Sequence, residues 1–215
     1  MSKPRNPDQI RLKMPSPLSV PLRRPEVSAS EALTIIEPLI VGIDPPRFLA
    51  GLTGEGSISL EGYPRIGVGC WSATFCVPNR AELDLLRVNL FPKGAEARVA
   101  FRRQMIPASI ADSSPPVVAL GDDWLDSTDI AAIVARDAVL PEEGTSPSLF
   151  MRLQPYPPLP LCWEVMRTST PAPRQLVQLT WAIRSDSGNV LWQKFERRVG
   201  SEIVESWSRR RAALE

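Results

Sequence analysis

Between residues 57 and 106 the apolar side chains fall at every second position. Ile58 and Leu60 alternate with serines and Glu61, and Trp71, Ala73, Phe75 and Val77 alternate with Cys70, Ser72, Thr74 and Cys76. Leu86, Val88 and Leu90 sit opposite Arg87 and Asn89, and Pro92-Lys93-Gly94 reads as a turn. Val99, Phe101 and Met105 then alternate with Arg98, Arg102 and Gln104. A period of two belongs to a strand with one buried and one polar face. It returns at residues 149–153, 161–167 and 175–185. The last run places Val177, Leu179, Trp181 and Ile183 on one face, which makes Trp181 a core residue. Asp186-Ser187-Gly188-Asn189 is a turn, with residues 190–199 as the hairpin partner.

Helical signals are fewer. Ser28 and Glu31 have capping-box spacing ahead of Ala32, Leu33, Ile35 and Ile36, a short helix or turn stopped by Pro38. Residues 42–56, rich in Gly and Pro, read as a loop. Asp126, Ser127 or Thr128 caps a helix through Ile130, Ile133, Val134 and Ala138 that Pro141 ends. Ser201 caps a final helix carrying Ile203, Val204, Trp207 and Leu214. About eight strands, one interrupting helix, a C-terminal helix and no βαβ rhythm predict an all-β antiparallel sandwich or barrel. No internal repeat is visible.

Charge divides the chain of 215 residues into three. Residues 1–27 carry Lys3, Arg5, Arg11, Lys13, Arg23 and Arg24 against Asp8 and Glu26, with six prolines that deny helix and ladder bonds. This is a disordered basic arm. Residues 28–199 are the body, mildly acidic up to residue 190. Residues 200–215 are the basic C-terminal helix, with Arg209, Arg210 and Arg211 near its end, where the dipole favours cations. Basic ends around an acidic body point to a polyanion partner. No apolar run approaches the roughly 20 residues of a membrane span, and the first residues lack a signal peptide's apolar centre. The expectation is an intracellular protein without a membrane partner.

Candidate chemistry is sparse. The chain has no histidine, the side chain that most often serves as base and metal ligand near neutral pH. Cys70 and Cys76 share a strand face but lie ~20 Å apart; with Cys162 they read as buried free thiols. Asp122, Asp123, Asp126 and Asp129 depart from calcium-loop spacing and read as a solvated loop plus a helix N-terminus. The glycines of residues 51–56 lack the Lys-Ser/Thr pair of a phosphate loop and read as a turn. The expectation is no enzyme, metal or cofactor. Arg98 and Arg102 share a polar strand face open to nucleic acid, while Arg103 points toward the apolar set or sits at a bulge. The tryptophans read as core or subunit contacts.

Val88-Asn89-Leu90-Phe91-Pro92-Lys93, an alternating strand, and then Pro107-Ala108-Ser109 resemble the corresponding stretch of cucumovirus coat proteins. A preceding strand closing at Val77-Pro78, the chain size and the basic leader are similar too. Relatives are coat proteins of small positive-strand plant RNA viruses, bromovirus-like and ourmiavirus-like. The resemblance covers about thirty residues. It implies a jelly-roll shell domain that self-assembles into a virion and packages single-stranded RNA, with host cytoplasm as the place of assembly. It assigns RNA contact to Lys3, Arg5, Arg11, Lys13, Arg23 and Arg24, and Arg209, Arg210 and Arg211 are further candidates. The leader is poorer in arginine than the family's arms, and the late hairpin has no match there. Two rival readings stand beside it: an RNA-binding movement or silencing-suppressor protein, and a cellular β-sandwich adaptor docking through its proline-rich leader.

Overall fold

The computed structural model describes residues 15–43, 45–77, 83–106, 119–137, 145–156 and 159–210. The chain runs β1 (Leu18–Pro21), α1 (Ala29–Ile40), β2 (Phe48–Ile58), β3 (Pro64–Cys76), β4 (Leu83–Lys93), β5 (Glu96–Ile106) and α2 (Ser127–Asp137). It continues through β6 (Thr145–Tyr156), β7 (Leu159–Thr170), β8 (Gln175–Arg184), β9 (Val190–Val199) and β10 (Glu202–Arg210). The fold is mostly β and antiparallel. The ten strands of the described residues lie in one sheet, in the order β1-β5-β4-β3-β2-β6-β7-β8-β9-β10.

This departs from the expected jelly roll, which places eight strands in two facing sheets. Alternation identifies a strand and its buried face, but not what covers that face. Here the cover is helical. α1 buries Ala29, Ala32, Leu33 and Ile36, and α2 buries Ile130, Ala131 and Val134. Both stripes join a single core with the inward faces of the strands, including Leu52, Trp71, Val88, Leu153, Trp163 and Trp181. Trp181 is fully buried, as expected. No helix among the described residues is long and apolar enough to cross a membrane.

Four local expectations need correction. α1 runs through Pro38 to Ile40 and is not stopped by that proline. Residues 48–56 form part of β2, not a loop. A Cβ on Gly54 would come 2.8 Å from the Ile58 side chain and 3.0 Å from the Trp71 ring, so this glycine marks close packing inside a strand. The C-terminal helix is β10. Gly200, at φ +62, turns the chain back, and the Trp207 ring stacks on Phe195 at 5.5 Å, which only strand alternation permits. Within the supposed disordered arm, residues 18–21 form β1 on β5, with Leu18 paired to Val99; residues 1–14 lie outside the described residues.

A repeat also exists, in structure only. Each half is a helix followed by a four-strand meander: α1 with β2–β5, and α2 with β6–β9. The buried positions of the two helices correspond at a spacing of 98 residues, Ala29 with Ser127, Ala32 with Ile130, Leu33 with Ala131 and Ile36 with Val134. Trp71 Nε1 donates to the Val27 carbonyl at 2.8 Å, and Trp163 Nε1 to the Leu125 carbonyl at 2.9 Å, each just ahead of its helix. At the seam β2 pairs with β6. The pairs Leu52–Leu153 and Gly54–Met151 exchange under a pseudo-twofold axis through Thr53–Arg152. The Trp71 and Trp163 rings meet edge to face near this axis, their centroids 6.5 Å apart.

Candidate functional site

The two basic ends do not converge. β1 and β10 are opposite edges of the sheet, nine strand spacings of roughly 4.8 Å apart, or about 43 Å along its surface. Arg23 and Arg24 occupy the bend between β1 and α1. Arg23 is exposed, whereas Arg24 is engaged with Glu31 at 2.7 Å and lies 6.0 Å over the Tyr63 ring. Arg209 lies 4.7 Å over the Trp207 ring, and Arg210 pairs in register with Trp192. Lys3, Arg5, Arg11, Lys13 and Arg211 fall outside the described residues.

The sheet face turned away from the helices is polar and laced with ion pairs. Glu55 meets Arg87 at 3.4 Å, Arg152 meets Glu164, and Glu196 is shared by Lys194 and Arg198. Ser72 donates to Asn89 at 2.8 Å. On β4 and β5 this face becomes cationic. Arg87 stands directly opposite Arg102, and Arg98 opposite Phe91, with Lys93 beyond. Arg98, Arg102 and Lys93 are exposed and make no ion pair among the described residues. Glu55 already meets Arg87 and Glu96 stands opposite Lys93, so the unmatched charge of this face is that of Arg98 and Arg102.

Arg103 turns the other way, as its parity requires, into a cluster the sequence did not reveal. Asp84 occupies the inward position in register with Leu86, Val88 and Leu90 and is almost wholly buried. Arg103 donates to both of its carboxylate oxygens, Nε to Oδ1 at 2.7 Å and Nη2 to Oδ2 at 2.5 Å. Arg47, from the segment ahead of β2, donates Nη2 to Oδ2 at 2.9 Å and Nη1 to the Asp84 carbonyl at 3.0 Å. Burial alone would push the Asp84 carboxyl up. The hydrogen bonds from Arg103 and Arg47 outweigh it and hold the group below its ordinary value. One signal was legible: a lone aspartate in the apolar register of an alternating strand. Nothing in the sequence pointed to Arg47.

The remaining candidates resolve into structural roles. Cys70, Cys76 and Cys162 are buried and form no disulfide, and burial pushes each thiol up to about 11, which leaves little thiolate for nucleophilic work. Asp126 accepts from the backbone N–H groups of Ser30 and Ser127, and the Ser127 hydroxyl accepts from Ala29 N at 3.0 Å. The two helix N-termini therefore share caps. Among the described residues no group of acidic or thiol side chains is arranged to hold a metal ion.

Comparison with family models, curated proteins and solved structures finds no match. Three features of this chain bear on function: a cationic patch on β4–β5, a buried arginine pair, and an open edge at β10.

Proposed function

We propose that this chain is a non-catalytic assembly protein. Copies join edge to edge through β10, and the cationic outer face of β4–β5 holds single-stranded RNA. The viral shell role implied by the coat-protein resemblance fits this reading, although the support comes from edge and charge rather than from a shared jelly-roll topology.

The observation that carries it is β10 itself. Among the described residues this nine-residue edge strand pairs only with β9, with one bulge between Ile203 and Glu205, and Ile203 and Val204 are more than half exposed on it. Long exposed edges with apolar residues recruit further strands unless blocked. The strand is also self-complementary in charge, with Glu202 and Glu205 in its first half and Arg209 and Arg210 in its last. A second copy laid antiparallel about Ser206 sets Glu202 against Arg210 twice, the isologous geometry of a twofold dimer. The opposite edge differs: β1 has only four residues and contains a proline.

A charge swap tests this. By size-exclusion chromatography with light scattering, the wild type should be a dimer or larger, and Glu202→Lys should shift it toward monomer. The double variant Glu202→Lys, Arg210→Glu should restore association. A wild type that stays monomeric, or a swap that fails to rescue, refutes the edge. Electron microscopy then separates closed shells from RNA-bound open oligomers, which would favour the movement or suppressor reading. A lone monomer without RNA affinity favours the adaptor.

A further inference from the structure

β2 and β3 fall out of step near their shared turn. Gly56 pairs with Gly69 and Ile58 with Pro64, so four residues of β3, Arg65 to Val68, stand against the single Ser57 of β2. Gly69 closes this excursion, since a Cβ there would come 2.3 Å from the Ser57 carbonyl oxygen. Gly67 turns within it at φ +82, between Ile66 and Val68, which are 57% and 64% exposed. Gly67 and Gly69 line a groove of 120 Å³ together with Phe91, Pro92, Lys93 and Arg98. That is well below the roughly 300–1,000 Å³ of pockets that enclose a whole organic ligand, so the groove can take only one part of a larger molecule.

The lining is specific in kind as well as size. Phe91 is half-buried and stands directly opposite the exposed Arg98 on the outer face, where paired Cβ atoms lie about 5 Å apart. A ring beside a cation is the build of single-stranded nucleic-acid grooves, in which bases stack on the ring and phosphates follow the charge. The second half closes the corresponding place. With Trp163 taken for Trp71 and Ile183 for Leu90, Leu161 stands where Gly69 does, and Arg184, held by Asp186 at 2.6 Å, where Phe91 does. The groove is therefore no by-product of the repeated scaffold. We propose that it is a stacking subsite for one nucleotide of single-stranded RNA, the base on the Phe91 ring and the flanking phosphates on Arg98 and Lys93. This assignment rests on the reading of the β4–β5 outer face as the RNA-holding surface.

Fluorescently labelled oligouridylate and an abasic oligomer of equal length separate base from backbone when titrated into the full-length chain. The wild type should bind oligouridylate at least about fivefold more tightly, as one stacked base implies. Phe91→Leu should remove that preference and leave abasic affinity unchanged, Phe91→Tyr should keep it, and Arg98→Ala should weaken both probes alike. Photocrosslinking of thiouridylate to the wild type gives a reading that needs no variant, and the modified tryptic peptide should be residues 88–93, which carry Phe91. No affinity for either probe would refute the RNA reading itself, and the subsite with it. Equal affinity for the two probes, an undiminished preference in Phe91→Leu, or crosslinks only outside residues 88–93 would overturn the subsite and leave the RNA reading standing. Binding to anionic lipid vesicles in place of RNA would assign Ile66, Val68 and the cations to a membrane surface and overturn it too.

Discussion

The two halves use one scaffold and finish it differently. In the second half the inward row of β8, running Ile183, Trp181, Leu179 and Val177, is apolar throughout, and Phe195 beside it stacks under Trp207. The equivalent row of β4 begins Leu90, Val88, Leu86 and then breaks to Asp84, clamped by Arg103 and Arg47. The outer faces diverge as well, since the cations of the second half are largely matched by Glu164, Asp186 and Glu196, while Arg98 and Arg102 of the first are not. The second half closes its core without an ion pair in that row, although Glu196 is buried on β9 and the Nε of Arg167 on β7. The Asp84 cluster is thus not a demand of the shared scaffold, since apolar Val177 and Phe195 fill the corresponding positions of the second half.

That comparison can be broken at its strongest shared element. Trp71→Ala and Trp163→Ala should each cost about 3–5 kcal/mol in urea unfolding, since each removes a fully buried ring and its hydrogen bond to the carbonyl ahead of a helix. Costs that differ by more than about 2 kcal/mol would mean that the halves are not mechanically equivalent.

Next in size is the buried cluster. Asp84→Ala leaves two guanidiniums without their carboxylate and should destabilise by about 3–5 kcal/mol. Grafting the second half's chemistry, Asp84→Val with Arg103→Phe and Arg47→Met, should instead leave stability within about 2 kcal/mol of wild type, because well-packed apolar replacements of buried ion pairs are often neutral. A graft as damaging as Asp84→Ala would mean that the charges are structural after all.

The pH dependence follows from the same carboxylate. The folded state holds Asp84 below its ordinary value of 3.8, so its contribution is present above that pH and lost as pH falls through the folded value. Acid unfolding of the wild type should accordingly include a limb below about pH 4 that the graft lacks. Superimposable acid limbs in thermal melts would remove Asp84 from that account.

Smallest are the surface cations. Arg98→Ala with Arg102→Ala should flatten the dependence of log K on log salt for single-stranded RNA by up to about 1.4, at roughly 0.7 per phosphate contact, equally for unrelated sequences. Arg23→Ala with Arg24→Ala should do less, because Arg24 is already matched by Glu31. A larger change from the second pair would return the RNA contact to the leader.

Much of this architecture was legible residue by residue. Strict alternation along β4 and β5, and the Asp186–Asn189 turn joining β8 to β9, left little choice of local conformation. β2 was hidden by its glycines, of which Gly54 admits Ile58 and Trp71 and Gly56 the Val68 carbonyl, both tertiary facts. β10 was hidden because Ile203, Val204 and Trp207 satisfy helical spacing, while the bulge between Ile203 and Glu205 breaks the strand's own alternation. The repeat was hidden because its halves share burial and not identity: Ala32 corresponds to Ile130 and Leu33 to Ala131, with large and small exchanged. Of the functional features, the outward Arg98 and Arg102 and the inward Arg103 followed from parity. The Arg47 contact spans 37 residues and required the fold.

The shared caps at the pseudo-twofold axis carry a consequence for biosynthesis. β2 lies mid-sheet only because β6 covers it, and Leu52 waits for Leu153 about a hundred positions downstream. The backbone at Ala29 and Ser30 likewise waits for Ser127 and Asp126. When a ribosome has released only the first half, that half has β2 as an open apolar edge and the start of α1 partly uncapped. The nascent chain is thus most vulnerable to mispairing with neighbouring chains during synthesis of its second half. Slowing translation in that interval should lower the yield of soluble protein more than slowing it before β2 has emerged.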